Sequence, residues 1–186
     1  DELLNSTEWI TRNRFSIING KTDLSAYAMK LKKESGKCLD YIEKGEYSDI
    51  QKCIAMILLA EIEYQNNNCY KALVLCNSSL AFLENSDFVE LWVVARFIQM
   101  CIMIVTGQLK AIYPMVNGMS DRVEASGNQE LKDNYEALKV WCALYDGDRS
   151  KIDAWLEKKA PNEFDFIQEK DMSRYFIKAR VYYMQE

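Results

Sequence analysis

The sequence predicts an all-α fold, an α-solenoid of about four helix pairs with 39–40-residue repeats. The first observation behind this prediction is an apolar stretch at Phe88–Ile112. Its central run, 92–105, contains only two polar residues, Arg96 and Gln99. A helix that is apolar nearly all round must be buried by neighbouring helices. The run is too short for a membrane span, which needs roughly 20 apolar residues.

The second observation is a repeated turn. Gly107 follows the apolar run, Gly147 lies 40 residues after it, and Asn68 lies 39 residues before it. Each turn precedes the start of a second helix, at Lys71-Ala72-Leu73, Lys110-Ala111-Ile112 and Ser150-Lys151-Ile152. A helix–turn–helix unit therefore recurs three times, and we expect the chain end to cut off a fourth.

Composition agrees with a helical fold. Only 7 Gly and 2 Pro are present, which leaves little material for the many tight turns of an all-β protein. We expect residues 1–186 to form a single helical-repeat domain that is a fragment of a longer protein. Residues 1–45 would supply N-terminal helices, and residues 46–186 would supply the repeats, of which the last is truncated.

The elements of the first half follow from helix start and stop signals. A short helix is predicted over residues 7–18. The next helix is predicted to begin at Thr22 or Asp23 and to continue through Gly36 to Ile42. Ser48 with Gln51 resembles a capping box, which predicts a helix over Asp49–Gln65. We expect two further helices, its partner over Cys69–Leu83 and the central helix after Asn85-Ser86-Asp87.

The second half is more interrupted. Pro114 lies past the first turn of its helix, so we predict a helix that is bent there and weakened by Gly118. Further helices are predicted over Gln129–Tyr145, over Ser150–Lys159 and from Asp171 onward. The segment Ala160–Lys170 is predicted to be a loop that still buries its aromatic residues, Phe164 and Phe166.

Several functional classes are disfavoured by the residues that the chain contains. Histidine is absent and no CxxC pair occurs, which argues against structural zinc and His-based acid–base catalysis. Glycine-rich phosphate loops are also absent. A net charge of −5 and a pI near 5.0 argue against nucleic-acid binding by this segment alone. We therefore predict a binding module and not an enzyme, with no cofactor in this fragment.

The cysteines indicate the compartment. Four of the six lie inside apolar helical patterns and read as small core residues: Cys53, Cys76, Cys101 and Cys142. Such thiols are typical of a reducing compartment, and the first residues lack the basic start and apolar core of a signal peptide. The predicted location is the cytoplasm, without membrane association.

The first helices of the pairs, aligned on their turn residues, share two wholly apolar columns. Because the columns are four residues apart, they lie on one helix face and should build a continuous core. The members of the first column are Leu58, Phe97, Ala137 and Ile177, and those of the second are Ile62, Cys101, Trp141 and Val181.

Three other columns mix polar and apolar residues on the opposite face, which would line the concave side of a solenoid. We predict that their polar members form the surface that binds a ligand or partner: Glu61, Arg96, Gln99, Glu136, Lys139 and Arg180. The alternative is a solvated face with incidental charges. A salt bridge between Arg96 and Glu136, which share a column in adjacent repeats, would explain these two residues without a ligand.

Two segments resemble a known family. The run Asn134–Glu157, with its Gly147-Asp148 turn and Ala154-Trp155-Leu156, resembles the A-L-x-x-G-D-x-x-x-A-x-x-W-L stretch of large LuxR-type bacterial regulators built like the maltose-regulon activator. The run Arg174–Gln185 resembles the aromatic-or-Leu-x-x-A-R-V-L-x-x-Q-G helix that follows in this family. Two earlier segments fit the family's repeats: Leu59–Gln65 and Lys71–Leu73. Lys151 departs from the pattern, since the family usually has Ala after Asp148.

The resemblance implies a tetratricopeptide-like right-handed superhelix in the middle of a multidomain activator. In such proteins a nucleotide-hydrolysing switch precedes this region and a DNA-binding helix-turn-helix follows it. The resemblance implies effector sensing and self-association as the function. The expected partners are proteins and a small-molecule inducer, with DNA bound only through a missing C-terminal domain. The alternative is a free-standing tetratricopeptide-like scaffold that binds peptide or protein partners. No ligand-binding residue can be transferred from the family's motifs.

Overall fold

The computed structural model describes residues 24–45, 47–162, 164–165 and 172–185. Every regular element in these ranges is an α-helix, so the all-α prediction is confirmed for the described chain. The helices are α1 (Leu24–Glu43), α2 (Asp49–Gln65), α3 (Cys69–Leu83), α4 (Val89–Val105), α5 (Leu109–Asn117), α6 (Ser120–Ala125), α7 (Gln129–Asp146), α8 (Arg149–Lys158) and α9 (Met172–Gln185). The helix predicted over residues 7–18 lies outside the described residues, as do Thr22 and Asp23.

The start of α2 has the capping box that the sequence predicts. The Gln51 backbone N–H donates to the Ser48 hydroxyl at 3.4 Å, and the Ser48 backbone N–H donates to Gln51 Oε1 at 3.0 Å. Two N–H groups that the first turn leaves without a helical acceptor are thereby satisfied. Both α2 and α3 have the predicted bounds, and α1 continues through Gly36 as predicted.

The three repeated turns have the same backbone conformation. Asn67, Gly107 and Gly147 each have a positive φ, of 62°, 75° and 70°. The residue after each donates its N–H to the carbonyl five positions earlier, in the pairs Asn68–Glu63, Gln108–Met103 and Asp148–Ala143, at 2.8, 2.8 and 3.0 Å. This bond is part of the Schellman ending of a helix. The left-handed residues of these turns are spaced by 40 positions, and the first is Asn67, one residue before the Asn68 that we predicted as the turn residue.

The region after Gly107 differs from the single bent helix that we predicted. Pro114 lies inside α5, but the chain leaves the helix at Gly118 and begins the short helix α6 at Ser120. The Gly118 N–H bonds the Pro114 carbonyl at 3.0 Å, and the Met119 N–H bonds the Val116 carbonyl at 3.1 Å. These bonds end α5 in a tight turn, and glycine favours the break because it loses more conformational freedom in a helix than other residues.

The described helices form two compact units that divide between Ile102 and Met103, near the end of α4. In the N-terminal unit α2 packs against both α1 and α3. Its core cluster consists of Cys38, Ala55, Leu58, Leu59 and Ile62. In the C-terminal unit α7 is central and packs against α5, α6, α8 and α9. There the Tyr135 hydroxyl, which is buried, donates to the Val116 carbonyl at 2.7 Å.

Most members of the two apolar columns are buried, and only Phe97 is partly exposed. The four cysteines of the apolar patterns are also buried, which confirms their assignment to the core. The prediction for the loop after α8 is wrong at Phe164, whose side chain is 89% exposed, while Phe166 lies outside the described residues. Among the helices of the described ranges, none has the length and apolar character needed to cross a membrane.

Candidate functional site

The six predicted site residues fall into two groups, one in each unit. The N-terminal unit holds Glu61, Arg96 and Gln99, and the C-terminal unit holds Glu136, Lys139 and Arg180. Their side chains range from buried to exposed. Each group therefore has its own geometry.

Glu61 differs from the exposed position expected of a ligand-binding residue. It is only 7% exposed, and its carboxylate accepts a hydrogen bond from Gln65 Nε2 at 2.8 Å. Met100 and Val140, which share its column, are also buried. The column therefore contributes to the core in these repeats, because neighbouring helices cover it.

Arg96 belongs to a polar network that joins α3 to α4. Its guanidinium pairs with Glu84 at 3.2 Å, donates to Gln99 Oε1 at 2.9 Å and lies 5.4 Å from the ring centre of Trp92. The Trp92 indole N–H donates to the same Glu84 carboxylate at 3.0 Å, and Gln99 Nε2 donates to Asn77 Oδ1 at 3.2 Å. Arg96 and Gln99 thus have structural partners within their own unit.

Glu136 lies between two lysines. Its carboxylate pairs with Lys139 one turn along α7, and with Lys159, which follows α8, at 3.4 Å. The Lys139 ammonium also lies 4.9 Å from the ring centre of Tyr135. This group ties the end of α8 to α7, and it contains more positive than negative charge.

Arg180 differs from the other five predicted residues. It is exposed on α9, and its guanidinium lies 4.7 Å from the ring centre of Trp141 on α7. Arginine stacked on an aromatic ring keeps its fork of N–H donors in a fixed orientation. Among the residues of the predicted binding surface, Arg180 is therefore best placed to bind a ligand or partner.

A further charged group closes the turn between α2 and α3. Glu63 is buried, and its carboxylate accepts from Lys71 Nζ at 2.5 Å and from Asn68 Nδ2 at 2.8 Å. Burial alone would raise the pKa of Glu63, but the two hydrogen bonds and the Lys71 charge outweigh it and lower that pKa below its usual value.

This lowered pKa makes stability depend on pH. A carboxyl whose pKa is lower in the folded state adds stability above its unfolded pKa, and this stability is lost as pH falls through the folded value. We expect Lys71→Met to reduce the free energy of unfolding by roughly 1–2 kcal/mol near neutral pH, since Lys71 itself is half exposed and partly screened. The difference from wild type should shrink as pH falls below about 4.5.

Urea unfolding between neutral pH and about pH 3 would measure this difference. Lys52→Met is the matched control, because Lys52 also lies on the N-terminal unit and has no side-chain partner among the described residues. If Lys71→Met and wild type differ by the same free energy of unfolding at every pH, the ion pair between Glu63 and Lys71 is not the source of the pH dependence.

The remaining chemistry of the described side chains is limited. Burial raises the pKa of Cys53 to about 11 and those of Cys38, Cys76 and Cys142 to about 12. Thiols of this kind stay protonated at neutral pH and are poor nucleophiles. In the described ranges, no group of three or more Cys, Asp or Glu side chains is placed to hold a metal ion.

Lys151, the departure from the family pattern, makes contacts that the sequence did not reveal. Its ammonium pairs with Asp148 at 2.9 Å and donates to the Tyr113 hydroxyl at 2.5 Å. The hydrogen bond from Lys151 lowers the pKa of Tyr113. Tyr113 also lines a small depression between α5 and α7, with a volume of about 10 Å³. A space of this size holds about one water molecule, so it is too small for a ligand site.

Sequence reasoning also missed the aromatic partners of the cations. Trp92, Tyr135 and Trp141 each lie beneath a cationic side chain. A signal was available for Trp92 and Tyr135, because the cation follows the ring by four residues on the same helix. The partners of the third pair are 39 residues apart, which matches the repeat length.

The chain matches no protein-family model, no curated protein and no solved structure. The resemblance to LuxR-type regulators therefore stays a prediction made from the residues of the sequence.

Proposed function

We propose that this chain is a tetratricopeptide-like right-handed superhelix of about four helix pairs. We propose that it serves as the effector-sensing and self-association region of a cytoplasmic LuxR-type transcriptional regulator. Its partners would be proteins and a small-molecule inducer, and DNA would be bound only by a separate C-terminal helix-turn-helix. The region would act by binding, without catalysis and without a cofactor.

The repeated turn is the observation that carries the proposal of a solenoid. Three Schellman endings recur at 40-residue spacing, after α2, α4 and α7. Contacts between residues that lie nearly one repeat apart in the sequence support stacking of the repeats within the C-terminal unit. Asn134 contacts Ser173 and Trp141 contacts Arg180, both across 39 positions, and Tyr113 contacts Lys151 across 38. Equivalent residues of successive repeats meet in this way when repeats stack side by side.

The residues of the family resemblance lie where a repeat would need them. Gly147 takes the left-handed conformation that ends α7, and the Asp148 carboxylate caps α8 by accepting from the Lys151 N–H at 3.3 Å. Ile152 and Trp155 of α8 are buried, as are Ile177 and Val181 of α9. The resemblance therefore involves both the turn chemistry and the core, which supports membership of this class of regulator.

The proposed mechanism is a population shift. An effector that binds one arrangement of the repeats better than another favours that arrangement by its difference in affinity. We propose that the favoured arrangement exposes or completes the self-association surface of the full regulator. Within the predicted binding surface, the exposed Arg180 of the C-terminal unit best supports a role in binding an effector or partner.

A second candidate is a free-standing scaffold for protein partners. The outer face of α3 carries exposed apolar side chains at near-helical spacing: Tyr70, Val74 and Phe82. Exposed apolar groups along one helix are a common feature of protein-binding surfaces. They favour a protein partner whether or not the chain belongs to a regulator.

The gene sequence on either side of this segment tests the proposal. A regulator should encode a G-x-x-x-x-G-K-[ST] phosphate-binding loop upstream and a basic helix-turn-helix downstream. If both are present, deleting the helical region should abolish the response to inducer while the helix-turn-helix still binds DNA. If neither is present, the regulator proposal is wrong and the scaffold remains.

A further inference from the structure

The Arg180 guanidinium is held in place but not neutralised. Trp141 beneath it is only 8% exposed, so the indole is fixed in the C-terminal unit. Arg180 has no ion pair or side-chain hydrogen bond with any residue that the structure describes. Stacking therefore holds a planar set of donors towards solvent, in the geometry that binds a carboxylate with two parallel hydrogen bonds.

The surroundings of Arg180 are apolar and exposed. Tyr183 is 80% exposed and Met184 about half exposed, and Met184 lies one turn beyond Arg180 on the same face of α9. Arginine, methionine and aromatic residues are enriched in protein interfaces. We name this set, Trp141, Arg180, Tyr183 and Met184, the Arg180 face.

The same chain carries a group of complementary chemistry at the turn between α3 and α4. Asp87 is exposed, and its carboxylate has no ion pair or hydrogen-bond partner among the described residues. The next residue, Phe88, is 45% exposed. The Ser86 hydroxyl accepts from the Phe88 N–H at 3.3 Å, and the Val89 N–H donates to the Asp87 carbonyl at 3.0 Å. The Asp87–Phe88 turn therefore exposes a carboxylate and, at the next residue, a half-exposed aromatic ring.

We propose that the Arg180 face of one copy binds the Asp87–Phe88 turn of a second copy. The Asp87 carboxylate accepts hydrogen bonds from the Arg180 guanidinium, and the Phe88 ring packs on Tyr183 and Met184. Charge complementarity argues for this occupant, because the two patches carry exposed charges of opposite sign, each next to exposed apolar surface. The inference rests on the self-association in the proposed function, and it names the two surfaces that make the contact.

Sedimentation velocity of the purified chain over a range of concentrations tests this contact. Arg180→Glu places a carboxylate against Asp87 and should weaken self-association by at least about tenfold, because like charges in an interface repel. Arg149→Glu is the matched control: Arg149 is exposed on α8 in the same unit and has no side-chain partner among the described residues. It should associate as the wild type does. Asp87→Arg should weaken association as Arg180→Glu does, and combining the two substitutions should restore it.

Circular dichroism and thermal melting of each variant show whether it is folded. If Arg180→Glu does not fold, Arg180→Gln removes the charge with less change in shape and should still weaken association several-fold. Equal association of Arg180→Glu and Arg149→Glu would overturn the contact and leave self-association standing on another surface. An effect of Arg180→Glu without one of Asp87→Arg would overturn the acidic turn as the occupant. A wild-type chain that stays monomeric at all concentrations would overturn both the contact and the proposed self-association.

Discussion

Trp141→Ala should lower the free energy of unfolding by roughly 3–5 kcal/mol. Trp141 is buried in the helix that packs against α5, α6, α8 and α9, and it supports the Arg180 guanidinium. Removing its indole leaves a cavity that these helices cannot fill without moving, and it removes apolar area from the core. A domain of this size is usually stable by only about 5–15 kcal/mol, so the loss is a large part of the total.

Urea unfolding followed by circular dichroism would measure the effect. Tyr145→Ala is the matched control, because Tyr145 is an aromatic residue one turn further along α7 and is exposed. We expect it to cost less than about 1 kcal/mol, as surface substitutions do. A small loss for Trp141→Ala, similar to that of the control, would show that the indole does not contribute to the core. Trp141 would then belong to the binding surface alone.

Leu59→Ala should lower the free energy of unfolding by roughly 2–5 kcal/mol. Leu59 is fully buried in the core cluster of the N-terminal unit, where it packs with Leu58, Ile62 and Cys38. Its neighbours come from both α1 and α2, so a cavity there would loosen the contact between these helices. The cost depends on how far the neighbours can close the cavity, which explains the width of the expected range.

Val74→Ala provides the comparison for Leu59→Ala within the same unit. Val74 is an aliphatic residue on the outer face of α3 and is exposed, so its truncation should change the free energy of unfolding by less than about 0.5 kcal/mol. The same urea titration serves both variants. If both substitutions cost equally little, the assignment of the core to the cluster around Leu59 is contradicted.

Much of the local structure could be predicted because its causes are local. The bounds of α2 and α3 follow from the Ser48–Gln51 capping box and from the polar turn at Asn66–Asn68. The turns at Gly107 and Gly147 follow from the left-handed conformation, which glycine adopts without steric cost. The buried faces follow from apolar residues repeated at helical spacing, because one face of a helix must leave water.

The candidate site was predicted less completely. The sequence indicated Arg180 through its place in a mixed column, but its partner Trp141 was assigned to the core alone. The sequence pattern placed Glu61 on the predicted binding surface, whereas neighbouring helices bury this residue. Periodicity tells which residues share a face of one helix. It does not tell which second helix covers that face.

By itself the sequence determined that the described chain is helical, where most of its helices begin and end, and that the two apolar columns are largely buried. Only the tertiary structure decided that the helix after Gly107 breaks at Gly118, that Phe164 is exposed, and that Arg180 stacks on Trp141. Helix signals act between residues up to about five positions apart, so the sequence displays them directly. Exposure and cation–aromatic stacking depend on residues brought together from distant positions, such as Trp141 and Arg180, and they arise only when the helices pack.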